Sequence, residues 1–183
     1  EPLRVIHEET ARLEQLAREF SMLGRPATGP RTAIDLAELM ASLAQTDVPA
    51  HVNVELVATP ALPLVLADYN ALQQALRNVL RNAIEAVSGR TDGRIQIRIE
   101  VPSGNGARLR LVVKDNGPGF PPGAAERIFE PDYTTKPRGT GLGLAIARQT
   151  ILEHGGTITA AATSTGPGAE VEIQLPTDPG REG

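Results

Sequence analysis

The chain has 183 residues and a mass of 19.4 kDa, the size of one globular domain with an appendage rather than two full domains. A net charge of −4 and a pI near 5.4 argue against a nucleic-acid-binding face as its main business. The absence of cysteine excludes disulfides, thiolate catalysis and Cys-based zinc sites. No apolar run is long enough to span a bilayer, and no signal-peptide pattern opens the chain. Because it begins at Glu1 rather than Met, the chain is expected to be a segment of a longer protein whose membrane anchor, if any, lies outside it.

From Pro2 to Leu23, apolar residues such as Leu3, Ile6, Leu13, Leu16, Phe20 and Leu23 recur at helical spacing between charged ones. The spacing predicts a long amphipathic helix, which either lies on the main domain or needs a second helix to cover its stripe. Gly24 to Pro30 is rich in turn residues and reads as a linker. Ile34 to Leu43 reads as a short strand or turn and a helix, His51 to Val57 as an alternating, half-buried strand, and Leu64 to Leu66 as a short strand. Asp68 is placed to cap a helix from Tyr69 to Val87, whose core stripe is Leu72, Leu76, Val79, Leu80, Ala83, Ile84 and Val87.

Two alternating strands follow, Arg94 to Val101 and Ala107 to Lys114, joined by a hairpin loop over Ser103 to Gly106. Asp115 to Gly143 shows little periodicity, and a loop of that length inside a compact domain is usually functional. Gly143 to His154 is again helical and is stopped by Gly155 and Gly156; Thr157 to Ala162 and Ala169 to Leu175 form a closing hairpin. Helices mixed with mostly antiparallel strands predict an α+β, two-layer α/β sandwich with the helices on one face of the sheet.

Three stretches carry chemistry. Asn78 and Asn82 are four apart on the helix, so they share a face, read here as the one opposite the apolar stripe. Carboxamide oxygens are hard ligands suited to a Mg²⁺ that already carries phosphate oxygens and water, although two such Asn also occur as surface or capping residues. Asp115-Asn116-Gly117-Pro118-Gly119 ends a strand; its carboxylate can accept a bond from an exocyclic amine, and its glycines let a flat ligand approach. The same residues also make an ordinary turn. Gly139-Thr140-Gly141-Leu142-Gly143-Leu144 opens a helix, whose free N–H groups favour phosphate. With 18 glycines such triplets arise by chance, and no Walker-type P-loop is present.

The order of these elements, Asn helix, Asp-x-Gly-x-Gly, Ile128-Phe129-Glu130-Pro131 and Gly-x-Gly-x-Gly, resembles the N, G1, F and G2 boxes of the catalytic ATP-binding domain of sensor histidine kinases. That domain belongs to the GHKL type with the Bergerat ATP-binding fold. The run Phe129 to Pro137 looks most like the nitrogen-regulation branch of these two-component kinases. The resemblance implies ATP and Mg²⁺ as ligands, with Asn82 and Asn78 at the metal and Asn78 also supporting the phosphates. It implies that Asp115 binds the adenine amino group in a pocket shaped by Gly117 and Gly119, and that Phe129 anchors a lid over about Phe120 to Arg138. Thr135, Thr140, Gly141, Leu142, Gly143 and Leu144 would line the nucleotide, and Lys136 and Arg138 would neutralise γ-phosphate charge. Two departures stand out: Ala169 where the family usually has Thr, and Glu85 where it often has Lys or Arg, with Arg81 or Lys136 able to compensate.

The implied division is residues 1–24 as the second helix of a dimerisation and phosphoacceptor hairpin, 25–33 as a linker, 34–178 as the catalytic domain and 179–183 as a tail. The acceptor histidine would then lie on a helix absent from this chain: His7 lacks the setting of an acceptor box, and His51 and His154 read as surface or structural residues. The implied activity is transfer of the γ-phosphoryl group of ATP to that histidine for relay to a response regulator. A homodimeric full-length protein follows, with this segment a cytoplasmic domain of a bacterial sensor. Two other functions share the fold: an ATP hydrolase of the gyrase and Hsp90 type, and a non-catalytic ATP/ADP-sensing module. The hydrolases carry a Glu one turn before the metal Asn as the base for water; Asn78 stands there, an amide that takes up no proton at neutral pH.

Overall fold

A computed structural model of the protein describes residues 10, 13, 14, 17, 21, 29–103, 108–121, 123–135, 139–163 and 166–178. Along the chain run β1 (Arg31–Ile34), α1 (Leu36–Asp47), β2 (Asn53–Ala58), β3 (Val65–Asp68), α2 (Tyr69–Val87), β4 (Arg94–Glu100) and β5 (Arg108–Asp115). One turn of 3₁₀ helix (Arg127–Phe129), α3 (Gly143–Glu153), β6 (Thr157–Ala162) and β7 (Ala169–Pro176) complete it. The main sheet has the order β2-β4-β5-β7-β6; β2 lies parallel to β4 and every other pair is antiparallel. A second sheet pairs β1 with β3, a long-range pairing that local alternation does not reveal.

Each helix buries one stripe. In α1 this is Leu36, Leu39, Met40 and Leu43, at i, i+3, i+4 and i+7, and Asp35 caps it by accepting from the N–H groups of Ala37 and Glu38 at 2.8 and 3.0 Å. In α2, Leu72, Leu76, Val79, Leu80, Ala83 and Val87 are buried, and Asp68 accepts from the N–H groups of Asn70 and Ala71 at 3.0 and 3.2 Å. Against these stripes β4 and β5 turn Ile95, Ile97, Ile99, Leu109, Leu111 and Val113, while their alternate residues lie on the opposite face, where Val112 is also buried. The two-layer sandwich predicted from sequence is therefore the fold, and the bounds of α2 coincide with those read from its pattern.

Four findings go beyond the pattern. Helix α1 runs on to Asp47, the second sheet exists, β1 begins at Arg31, and the long loop holds a 3₁₀ turn. That turn is too short to leave a periodic signal. His154, the residue after α3, is buried at 3% exposure and structural: its Nε2 accepts from the Asp68 N–H at 3.0 Å, so its Nδ1–H donates to the Thr150 carbonyl at 2.7 Å. His51 is exposed. Of the N-terminal segment, residues 10, 13, 14, 17 and 21 are described and all are helical; Ser21 Oγ donates to the Ala17 carbonyl at 2.7 Å. Residues 104–106 of the expected hairpin loop lie outside the described residues.

Candidate functional site

A cavity of about 330 Å³ runs along α2, between that helix, the end of β5 and the segments that flank the start of α3. Its first end is built on the sheet. The alternation of β5 that buries Leu109, Leu111 and Val113 also turns Asp115 inward, where only 4% of its surface remains exposed. The strand stops there, so Asp115 Oδ1 accepts the N–H of Gly117 at 2.8 Å and that of Ala169, on β7, at 3.3 Å. Gly117 is buried and does not line the cavity; a Cβ there would lie 2.7 Å from the Ala86 carbonyl oxygen of α2. Gly119 lines the cavity at φ +79, with space for a Cβ blocked by the Gly168 carbonyl oxygen at 2.9 Å. Ala169 lines this end too.

The second end is built on loops. Asn78 is 6% exposed, which corrects the reading that puts it opposite the apolar stripe. The reason is tertiary: α3 packs on that side of α2. Asn78 Nδ2 donates to the Gly143 carbonyl at 3.0 Å, and its Oδ1 accepts from Gln74 Nε2 at 3.1 Å. A Cβ on Gly143 would stand 3.6 Å from Asn78 Cγ, so the helix begins with its backbone against the amide. Gly141, at φ +68, lies so close to the backbone of Asp132 that a Cβ would meet its carbonyl carbon at 2.6 Å; Asp132 is itself left-handed at φ +67. Thr140 and Leu144 line the cavity here, whereas Leu142 is buried and the N–H of Leu142 donates to Thr140 Oγ1 at 3.4 Å.

Asn82 lines the middle of the cavity, with Arg81 and Glu85, which form an i, i+4 ion pair at 2.9 Å. Thr135 stands on the far wall beside Thr134 and Tyr133. Phe129 does not line the cavity: it is 5% exposed in the core, where the 3₁₀ turn meets α3 and Arg148 Cζ lies 6.0 Å from the centre of its ring. Lys136 and Arg138 lie outside the described residues.

Sequence reasoning did not single out Phe120, Ile128 and Tyr133 as wall residues. In a chain with two Tyr and three Phe, the presence of Phe120 and Tyr133 within the aperiodic stretch was the available signal. Arg127 Cζ sits 4.9 Å from the centre of the Tyr133 ring, behind the wall.

The fit to a nucleotide rests on this geometry. One end offers a buried carboxylate beside the main chain of Gly119; the other offers backbone at a helix N-terminus, reached by a loop in which Gly141 has no room for a side chain. Among the described residues no three His, Cys, Asp or Glu side chains are grouped to hold a metal by themselves. A neutral amide set such as Asn78 and Asn82 suits a divalent ion that brings most of its oxygen ligands with it, as Mg²⁺ on a triphosphate does. Fold and site together define a nucleotide-binding two-layer sandwich.

Comparison with known proteins narrows this class. Residues 67–179 match the family of histidine kinase-, DNA gyrase B-, and HSP90-like ATPases. The sensory histidine kinase/phosphatase NtrB of Rhodobacter capsulatus is 34% identical over 187 residues, covering 96% of this chain and 52% of that protein. Among solved structures, full-length ShkA in complex with AMPPNP superposes with a TM-score of 0.80 at 28% identity, covering 95% of this chain and 38% of that one. The histidine kinase ThkA in complex with the response regulator protein TrrA gives 0.77 at 28% identity, covering 96% of this chain and 50% of that one. The chain therefore belongs to the histidine kinase-, DNA gyrase B- and HSP90-like ATPase family, as an ATP-binding catalytic domain of the sensor histidine kinase type. It spans about half the length of the NtrB relative.

Proposed function

We propose that this chain holds Mg²⁺–ATP and passes its γ-phosphoryl group to a histidine on a dimerisation helix outside the chain, for relay to a response regulator. One observation carries the reading. At the position where a hydrolase of this family needs a carboxylate to deprotonate water, Asn78 is present, and its amide is engaged by Gly143 and Gln74. A site that holds an amide at that position is suited to a nucleophile that needs no base, and a neutral imidazole nitrogen is one. As the new P–N bond forms, the bond to the β,γ-bridging oxygen breaks and its electron pair leaves with ADP.

In this reading Asp115 binds the adenine amino group, and Gly117 and Gly119 keep the slot thin enough for the ring. Asn78 orients the start of α3 toward the phosphates, and the backbone of Gly141 and Gly143 lies alongside them. Asn82, with Asn78, would hold Mg²⁺, which when bound spreads the negative charge of the triphosphate. Thr135 and Thr140 supply hydroxyls to the same end, and Lys136 and Arg138 supply positive charge. Phe129 anchors the segment they sit on. Residues 1–24 are proposed as the second helix of a dimerisation hairpin, 25–33 as a linker, 34–178 as the catalytic domain and 179–183 as a tail. A homodimeric sensor whose cytoplasmic part includes this chain is the natural context; ThkA, solved with TrrA, supports the response-regulator partner. Among the described residues no helix is long and apolar enough to cross a membrane.

The test uses γ-labelled ATP with Mg²⁺. The chain is expected to bind nucleotide without sustained phosphate release, and label is expected on protein once the upstream histidine helix is added. Asn82→Ala should abolish the Mg²⁺-dependent part of ATP binding. Multiple-turnover release would assign a hydrolase, and binding with no transfer to the added helix would assign a nucleotide sensor.

A further inference from the structure

Helix α2 rises about 1.5 Å per residue, so Asn82 and Glu85 stand about 6 and 10 Å beyond Asn78 along the cavity wall. Asn78 is at the Gly143 end, and the next residue after Glu85, Ala86, touches the Gly117 end. A nucleotide laid along this wall, base at Asp115 and phosphates at Gly143, brings its sugar to the level between Asn82 and Glu85. Asp115 and Glu85 are the two carboxylates among the described residues that line the cavity. Arg81 Nε holds Glu85 Oε1 at 2.9 Å from one turn away on the same helix.

A carboxylate in a cavity built for a polyanion is repelled by its ligand unless the ligand donates hydrogen bonds to it. ATP has few donors. Its exocyclic amine belongs to Asp115 in this reading, which leaves the two hydroxyls of the ribose. We infer that Glu85, positioned by Arg81, accepts a hydrogen bond from the ribose hydroxyls and makes the site selective for ribonucleotides over deoxyribonucleotides. The inference rests on the nucleotide orientation given under the proposed function. It also accounts for an acid at a place where a cation would serve the phosphates.

The alternative is an i, i+4 pair that only stabilises the helix, and the two roles separate in a binding experiment. Dissociation constants for ATP, 2′-deoxy-ATP and 3′-deoxy-ATP are measured with Mg²⁺ for the wild type, Glu85→Ala and Glu85→Gln. Alanine suits a helix, so the fold is expected to survive, and a thermal melt checks it. The wild type should prefer ATP over at least one deoxynucleotide by roughly tenfold, as loss of a hydrogen bond to a charged group implies. Glu85→Ala should bring that ratio near one while leaving affinity for the deoxynucleotide almost unchanged, and Glu85→Gln should fall between.

A wild type that does not discriminate overturns the inference. So does an equal loss for all three nucleotides in Glu85→Ala, which would mark a structural pair, or, if the loss disappears without Mg²⁺, a carboxylate serving the metal. A wild type that binds no ATP at all would instead overturn the proposed function.

Discussion

In the proposed orientation the cavity has a base end and a phosphate end. At the base end Asp115 is fixed by two backbone N–H groups, one local and one from β7, and Gly119 lines the slot, backed by the Gly168 carbonyl. At the phosphate end the wall is the start of α3, steadied by the side chains of Asn78 and Thr140 and by the backbone crossing of Asp132 and Gly141. The first end is an extension of the core: whatever orders β5 and β7 also orders Asp115. The second depends on a few contacts between loops, two of whose residues hold left-handed conformations. In the proposed orientation, recognition of the base is thus prepaid in folding, whereas recognition of the phosphates rests on a loop junction held by a few polar and main-chain contacts.

Substitutions can break this contrast or sharpen it. The largest effect is expected at Gly168, at φ +135, where any Cβ would run into the Asp115 carbonyl oxygen. Gly168→Val should lower stability by about 3–5 kcal/mol in urea unfolding, because the two strands that carry the base end cannot separate locally. Asp115→Asn should leave the fold cooperative while weakening ATP about tenfold to a hundredfold in titration calorimetry, since the amide returns one donor where the amine needs an acceptor. An early melt would show instead that the charge of the Asp115 carboxylate is needed to hold the junction of β5 and β7.

At the other end, Gly141→Ala places a side chain at φ +68 against the backbone of Asp132. It should cost about 1–2 kcal/mol, read as weaker ATP binding with adenosine affinity unchanged. Equal losses for ATP and adenosine would show that the two ends are coupled.

The smallest effect lies away from the cavity, on the outer face of the sheet. There Arg110 on β5 bonds Glu100 at 2.8 Å and Glu172 at 2.7 Å. The Arg110 guanidinium holds the Glu172 carboxyl below its ordinary value of 4.5, and the two carboxylates push the Arg110 pKa further up. A folded-state value below the unfolded one gives stability that is present above 4.5 and is lost as pH falls through the lowered value. Glu172→Gln should therefore cost less than about 1 kcal/mol at pH 7 for this partly exposed pair. The difference from wild type should vanish in acid, and nucleotide affinity should not change at any pH.

Much of the fold was legible because its elements repeat their pattern often enough to be read. Helix α2 carries five turns of apolar spacing with a capping Asp68 before it, β4 alternates along its length, and β5 does so except at the buried Val112. The candidate site was legible for a different reason: Asn78, Asn82, Asp115 and the glycines of 139–143 sit in ordered, short motifs whose residue types have few other uses together. What was not legible is whatever depends on a distant neighbour. The pairing of β1 with β3, the bond from the Asp68 N–H to His154 and the placing of Phe129 in the core rather than on the cavity wall all arise between residues far apart in sequence.

The class of fold, the bounds of α2 and the residues to look at could be read from the amino-acid sequence, because periodicity, capping and motif chemistry act within a few residues of one another. Tertiary structure alone decided which of those residues meet. The packing of α3 on α2 turns Asn78 from an exposed amide into a buried strut, and the arrival of β7 beside β5 gives Asp115 its second N–H. Both outcomes follow from burial: once apolar stripes close on each other, the polar groups at their borders must find partners from another part of the chain.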